Sequence, residues 1–155
     1  MKVLVVYDTV SASRMTEKVA QTIGETLKEG GIEVDSSYVK DVDKSIVKNY
    51  DCLIAGGPTM AFRISKEMTR FLDGLPSKGF SGKQAAAFDT QMQMMMSGNA
   101  AKGIEKRLKD LGFAIVNPPL VVYVESKVKN EWQFKTGELE KAKNWAQEVA
   151  RALSG

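Results

Sequence analysis

Short aliphatic and β-branched runs alternate along the chain with longer stretches whose apolar positions recur at helical spacing, an order that predicts βαβ units around a parallel sheet. Residues 2–7 read as the first strand. From Thr16 the pattern is helical, with Val19, Ala20, Ile23 and Leu27 on one face and Gly30-Gly31 ending it. A second strand is expected at 32–39. Residues 41–50 hold only a short helix, with Ile46, Val47 and Tyr50 turned inward, before an almost wholly apolar third strand at 51–55. Gly56-Gly57-Pro58-Thr59 is expected to stop that strand. Met68, Phe71, Leu72 and Leu75 then fall at i, i+3, i+4 and i+7. Residues 84–88 predict a fourth strand and 99–111 a helix burying Ile104, Leu108 and Leu111, with Gly112 as its cap. Residues 113–116 and 120–124 form two pieces of a fifth strand, because Asn117-Pro118-Pro119 cannot continue a central ladder. The closing helix, about 137–153, turns Leu139, Ala142, Ala146, Val149 and Leu153 inward.

A length of 155 residues, 43% of them hydrophobic, supports one core and one domain over 1–155. The chain has no histidine, which excludes His-based triads, imidazole acid/base work and His metal clusters. Its single cysteine, Cys52, sits beside Leu53 and Ile54 and reads as a buried strand thiol in a reducing cytoplasm. The opening apolar run is too short for a signal peptide, and no stretch approaches the roughly 20 apolar residues of a membrane span. Net charge is +3, with Lys and Arg dispersed among Asp and Glu. That dispersal argues against nucleic acid and leaves an acidic partner protein or a phosphorylated ligand as the charge-compatible partners.

In an open parallel α/β sheet, ligands bind outside the carboxyl ends of the strands. Three turns leave those ends. The first, Asp8-Thr9-Val10-Ser11-Ala12-Ser13-Arg14-Met15-Thr16, combines four hydroxyls, one guanidinium and the amides of a helix N-terminus, a set that suits an anion and equally an ordinary helix-capping turn. Neither the Gly-x4-Gly-Lys-Ser/Thr nor the Gly-x-Gly-x-x-Gly pattern occurs, so ATPase and Rossmann dehydrogenase readings lose their support. The second turn, Gly56 to Arg63, has glycines that would let backbone approach a ligand. The third, Asp89 to Gly98, places polar groups before a run of methionines too aperiodic to face one core. Together the second and third turns suit a flat ring held between two jaws.

These residues resemble the flavodoxin family over nearly the whole chain. Val6-Tyr7-Asp8-Thr9 leading to Thr16-Glu17-Lys18-Val19-Ala20 resembles the phosphate loop and first helix. Residues 51–59 resemble the third strand with its Gly-Gly-Pro-Thr end, followed by Phe71-Leu72-Asp73, and Ala87-Phe88-Asp89-Thr90 resembles the strand entering the last flavin-contacting loop. The resemblance implies an α/β fold with an open, doubly wound five-stranded parallel sheet, order 2-1-3-4-5, helices on both faces and non-covalent FMN at the switch point, as is general for flavodoxin. It implies phosphate contacts from Thr9, Ser11, Ser13 and Thr16, helped by the backbone of Ala12, Arg14 and Met15. It places Pro58, Thr59, Met60, Ala61 and Phe62 against one face or edge of the isoalloxazine. Asp89, Thr90, Gln91, Met92 and Gln93, with Gly98 closing the loop, lie against the other.

The chain also departs from the family pattern. Its first loop is longer and carries Arg14, which either pairs with the phosphate or points to solvent. The last loop lacks an aromatic residue, leaving Phe62 as the only aromatic in either jaw. The family's flipping glycine peptide is replaced by Met60-Ala61-Phe62, where a Cβ opposes positive φ and predicts weak stabilisation of the one-electron-reduced flavin. Asp89 is expected to orient loop backbone or the flavin edge. The expected role is electron transfer between redox partner proteins by a monomer or homodimer, with no nucleic acid and no membrane. Two alternatives stand beside it, an FMN-dependent NAD(P)H or quinone reductase and a flavodoxin-like interaction domain that has lost FMN. Trp132 and Phe134, in the irregular segment 127–136, either cover the sheet edge or meet a partner.

Overall fold

The computed structural model describes residues 1–60, 63–93, 98–129 and 131–154. The chain runs β1 (Lys2–Tyr7), α1 (Met15–Glu29), β2 (Glu33–Tyr38), β3 (Cys52–Pro58), α2 (Lys66–Asp73), β4 (Gln84–Met92), α3 (Ala100–Asp110), β5 (Ala114–Ile115), β6 (Leu120–Val128), β7 (Glu131–Phe134) and α4 (Glu138–Ser154). The sheet order is β2-β1-β3-β4-β6-β7, with β5 also paired to β4. The strands from β2 to β6 are parallel, and the predicted fifth strand is the pair β5 and β6, both laid against β4 on either side of Pro118-Pro119. The 2-1-3-4-5 winding is therefore present. It is extended by β7, antiparallel to β6, so the segment expected to be irregular is a strand at the sheet edge.

Successive strand residues face opposite sides, and this builds two cores. Val3, Val5, Ile54, Ala86, Phe88 and Val122 pack under α1 and α4, while Leu4, Val6, Leu53, Ala55, Ala85 and Ala87 pack under α2 and α3. Cys52 belongs to the first core, and burial pushes its thiol up to about 12. Strands covered on both faces read as near-continuous apolar runs, which is why β1 and β3 stand out in the sequence.

Four expectations are corrected. β3 does not stop at Ala55 but runs through Gly56 and Gly57 to Pro58, paired residue for residue with β4. Gly56 serves the core and not a ligand: a Cβ there would stand 2.3 Å from the Phe88 ring. Residues 41–50 contain a 3-10 turn, Lys44–Asn49, which buries Val47 and leaves Ile46 37% exposed. Leu139, in the first turn of α4, is 39% exposed, whereas Ala142, Trp145, Ala146, Val149 and Leu153 are buried.

Candidate functional site

At the carboxyl ends of β1, β3 and β4 a cavity of about 320 Å³ opens, within the size range of small-molecule sites. The first turn contributes Thr9, Ser11, Met15 and Thr16, the second Pro58, Thr59 and Met60, and the third Thr90, Gln91 and Met92. Val10, Val124 and Trp132 complete the lining and were not anticipated. A wider depression of about 570 Å³ lies between β6 and α4, away from the strand ends.

The other predicted residues lie around this cavity. Ala12 and Arg14 line an adjoining trough that shares Thr9, Val10 and Ser11 with it. Ser13 accepts a hydrogen bond from the Trp132 N–H at 3.1 Å, which pins the first turn to β7. Exposed Gln93 accepts from Lys135 Nζ at 2.6 Å, and exposed Gly98 takes φ +70° before α3. Ala61, Phe62 and the methionines at 94–96 lie outside the described residues, as does the Met60-Ala61-Phe62 peptide expectation that depends on them.

The first turn is held by its own charges. Arg14 has left-handed backbone, φ 53°, and its amide closes a turn on the Ser11 carbonyl at 3.1 Å. Its exposed guanidinium forks onto Glu17 with bonds of 2.5 and 2.8 Å, so Arg14 stands at the solvent surface with a carboxylate partner. Glu17 also accepts from the Tyr7 hydroxyl at 2.7 Å. Arg14 and then Tyr7 hold the Glu17 carboxyl below its ordinary range, and burial together with that hydrogen bond pushes Tyr7 up to about 12.

Beneath the other two turns lies a buried polar knot. Asp89 is fully buried and accepts from Thr59 Oγ1 (3.1 Å), Gln91 Nε2 (3.0 Å) and the Ala101 N–H (3.0 Å). Thr59 Oγ1 accepts in turn from the Ala100 N–H at 3.1 Å, and the Thr59 N–H donates to the Thr90 carbonyl at 2.9 Å. Asp89 thus fastens the ends of β3 and β4 to the start of α3. Desolvation raises its carboxyl pKa, although the three donors oppose that rise. Asp89 does orient backbone, but it stands below the cavity lining.

On the opposite face of the same strand, Thr90 Oγ1 and Thr16 Oγ1 lie 2.8 Å apart. One hydroxyl donates to the other, so the pair keeps one uncommitted proton for an acceptor in the cavity. Among the described residues the lining has hydroxyls and an amide but no carboxylate, lysine or arginine. The lining described thus combines neutral polar groups with apolar surface from Met60, Met92, Val124 and Trp132. The sequence places Trp132 only at the sheet edge or a partner contact and not in the cavity lining, although the Trp132-Gln133-Phe134 alternation is a strand signal.

A family profile for flavodoxin matches residues 5–146. A flavodoxin from Clostridium beijerinckii is 30% identical over 117 residues, 74% of this chain and 83% of that protein. One from Clostridium saccharobutylicum is 36% identical over 91 residues, 58% of this chain and just over half of the relative, 56%. Among solved structures, a flavodoxin from the domain Archaea superposes with a TM-score of 0.81 over 100% of both chains at 22% identity, a likeness of fold.

Proposed function

Because the chain belongs to the flavodoxin family, whose members bind FMN, we propose that it is an FMN-carrying electron shuttle passing low-potential electrons between redox partner proteins in a reducing cytoplasm. The observation that carries the reading is the convergence of three strand-end turns on one cavity, with hydroxyls on one side and apolar groups on the other. The donor set fits the cofactor. Thr9, Ser11 and the Thr16–Thr90 pair supply neutral hydrogen-bond donors for a phosphate monoester, while Met60, Met92, Val124 and Trp132 supply an apolar wall for a ring.

Bound FMN supplies the redox chemistry, and the protein supplies binding, orientation and electrostatics. Asp89 keeps Thr59 and the start of α3 in place from below, so the carboxylate steadies the wall without setting a negative charge in the cavity. The Ser13–Trp132 hydrogen bond fastens the first turn to β7. Among the described residues no acid or base lines the cavity, so any redox step there would be the flavin's own chemistry. Among the described residues no helix is long and apolar enough to cross a membrane.

The purified protein is expected to be yellow and to release FMN on denaturation; a colourless protein that does not quench added FMN fluorescence would refute the reading. Replacing Ser11 and Thr16 together by Ala should weaken FMN binding by roughly 2 to 4 kcal/mol. Thr90→Val, which leaves the Thr16 hydroxyl in place, should cost less.

A further inference from the structure

Immediately beside the cavity is a shallow depression of about 560 Å³ lined by Arg63, Lys66, Arg70 and Arg107, with no carboxylate among the described lining residues. It joins the cavity through a backbone pair, Met60 N–H to the Arg63 carbonyl at 2.8 Å and Arg63 N–H to the Met60 carbonyl at 2.9 Å, since Met60 lines one and Arg63 the other. Arg70 is paired with Glu67 and Arg107 with Asp73. Exposed Arg63 and Lys66 have no ion-pair partner among the described residues. Two helices also begin here, α2 at Lys66 and α3 at Ala100, and their N-terminal ends add positive potential.

We propose that this basic shelf is the docking face for an acidic protein partner, seating its electron-exchanging group against the Met60 side of the cavity. The proposal rests on the electron-carrier reading and names the charge of the partner. A protein surface suits the shelf better than a discrete phosphate does. At the start of α3 the amides of Ala100, Ala101 and Lys102 already donate to Thr59, Asp89 and Asn99 and are closed to a phosphate. Two of the four cations are likewise engaged with carboxylates. What remains is a field spread over an open face, which steers an acidic surface and does not chelate a point charge.

The test uses FMN-loaded protein, reduced anaerobically, and two oxidants of opposite charge: acidic plastocyanin and basic cytochrome c. With plastocyanin the second-order rate should fall about tenfold between 10 and 150 mM salt, as screening shortens to about 8 Å. Arg63→Glu with Lys66→Glu should lower the low-salt plastocyanin rate about fivefold or more, flatten its salt dependence and leave FMN affinity unchanged. With cytochrome c the double variant should be equal or faster. A plastocyanin rate indifferent to salt, or unchanged in the double variant, overturns the docking proposal and leaves the carrier reading intact. Direct reduction of the oxidised protein by NADPH, abolished in the double variant, also overturns it and assigns the shelf to a nucleotide phosphate. Failure to load FMN removes both readings together.

Discussion

The two sides of the cavity are made by different means. The turn after β1 is held near the surface by the Arg14–Glu17–Tyr7 chain, in which the Arg14 side chain is 58% exposed, and by the Ser13–Trp132 hydrogen bond. The turns after β3 and β4 are held from underneath by Asp89, fully buried, with every donor around it committed. An exposed pair of charges contributes little and yields to solvent and salt, whereas a buried carboxylate with three donors is costly to disturb. For the proposed FMN site the contrast implies that one rim would adjust around the cofactor while the other would set the reference position for its ring.

The largest test of that contrast is on the rigid side. Gly56→Ala forces a Cβ to within 2.3 Å of the Phe88 ring, and urea unfolding should show a loss of about 3 kcal/mol, partly restored by Phe88→Leu. Thr59→Val leaves the buried Ala100 N–H without its acceptor and should cost about 1 to 3 kcal/mol in the same assay. A loss near zero would mean that the knot does not hold α3.

A smaller, pH-dependent effect belongs to Asp89. Its folded-state pKa is raised by desolvation, so the folded protein holds that proton more tightly than the unfolded chain, and this contribution is lost as pH rises from about 4 through the folded value. Asp89→Asn does not ionise. Its stability relative to the parent should therefore improve between pH 4 and 7, and a constant difference across that range would contradict the assignment. The smallest effect lies on the adjustable side. Glu17→Gln should bring the Tyr7 titration down from about 12, only part of the way because burial is the larger cause, with little change in urea unfolding.

Most of the architecture was legible because both faces of the sheet are covered, so β1 and β3 appear as apolar runs and the helices as stripes. What escaped depended on neighbours distant in the chain. Gly56 and Gly57 look like a terminator locally, and only the Phe88 ring on β4 explains why the strand continues through them. A 3.6-residue period places Ile46 inward, whereas a 3-10 turn repeats every three residues and turns it outward. Strand β7 spans only Glu131–Phe134 and presents two aromatic positions, too short a signal beside its charged neighbours. At the site, the convergence of the three turns followed from topology. The engagement of Ser13 with Trp132 and of Asp89 with α3 joins residues far apart in the chain and has no mark in their spacing, whereas the Arg14–Glu17 pair stands at i,i+3 and is readable as charge patterning.

The sheltered thiol of Cys52 gives the protein a built-in stopwatch. It lies at the start of β3 between Val3 and Gln84, 1% exposed, with its deprotonation suppressed by burial. Alkylating reagents and peroxides attack thiolates that they can reach, so modification must wait until the middle of the sheet parts. The pace of maleimide labelling in native buffer would then report how often that happens, and added riboflavin 5′-phosphate should slow it in proportion to its grip on the folded form.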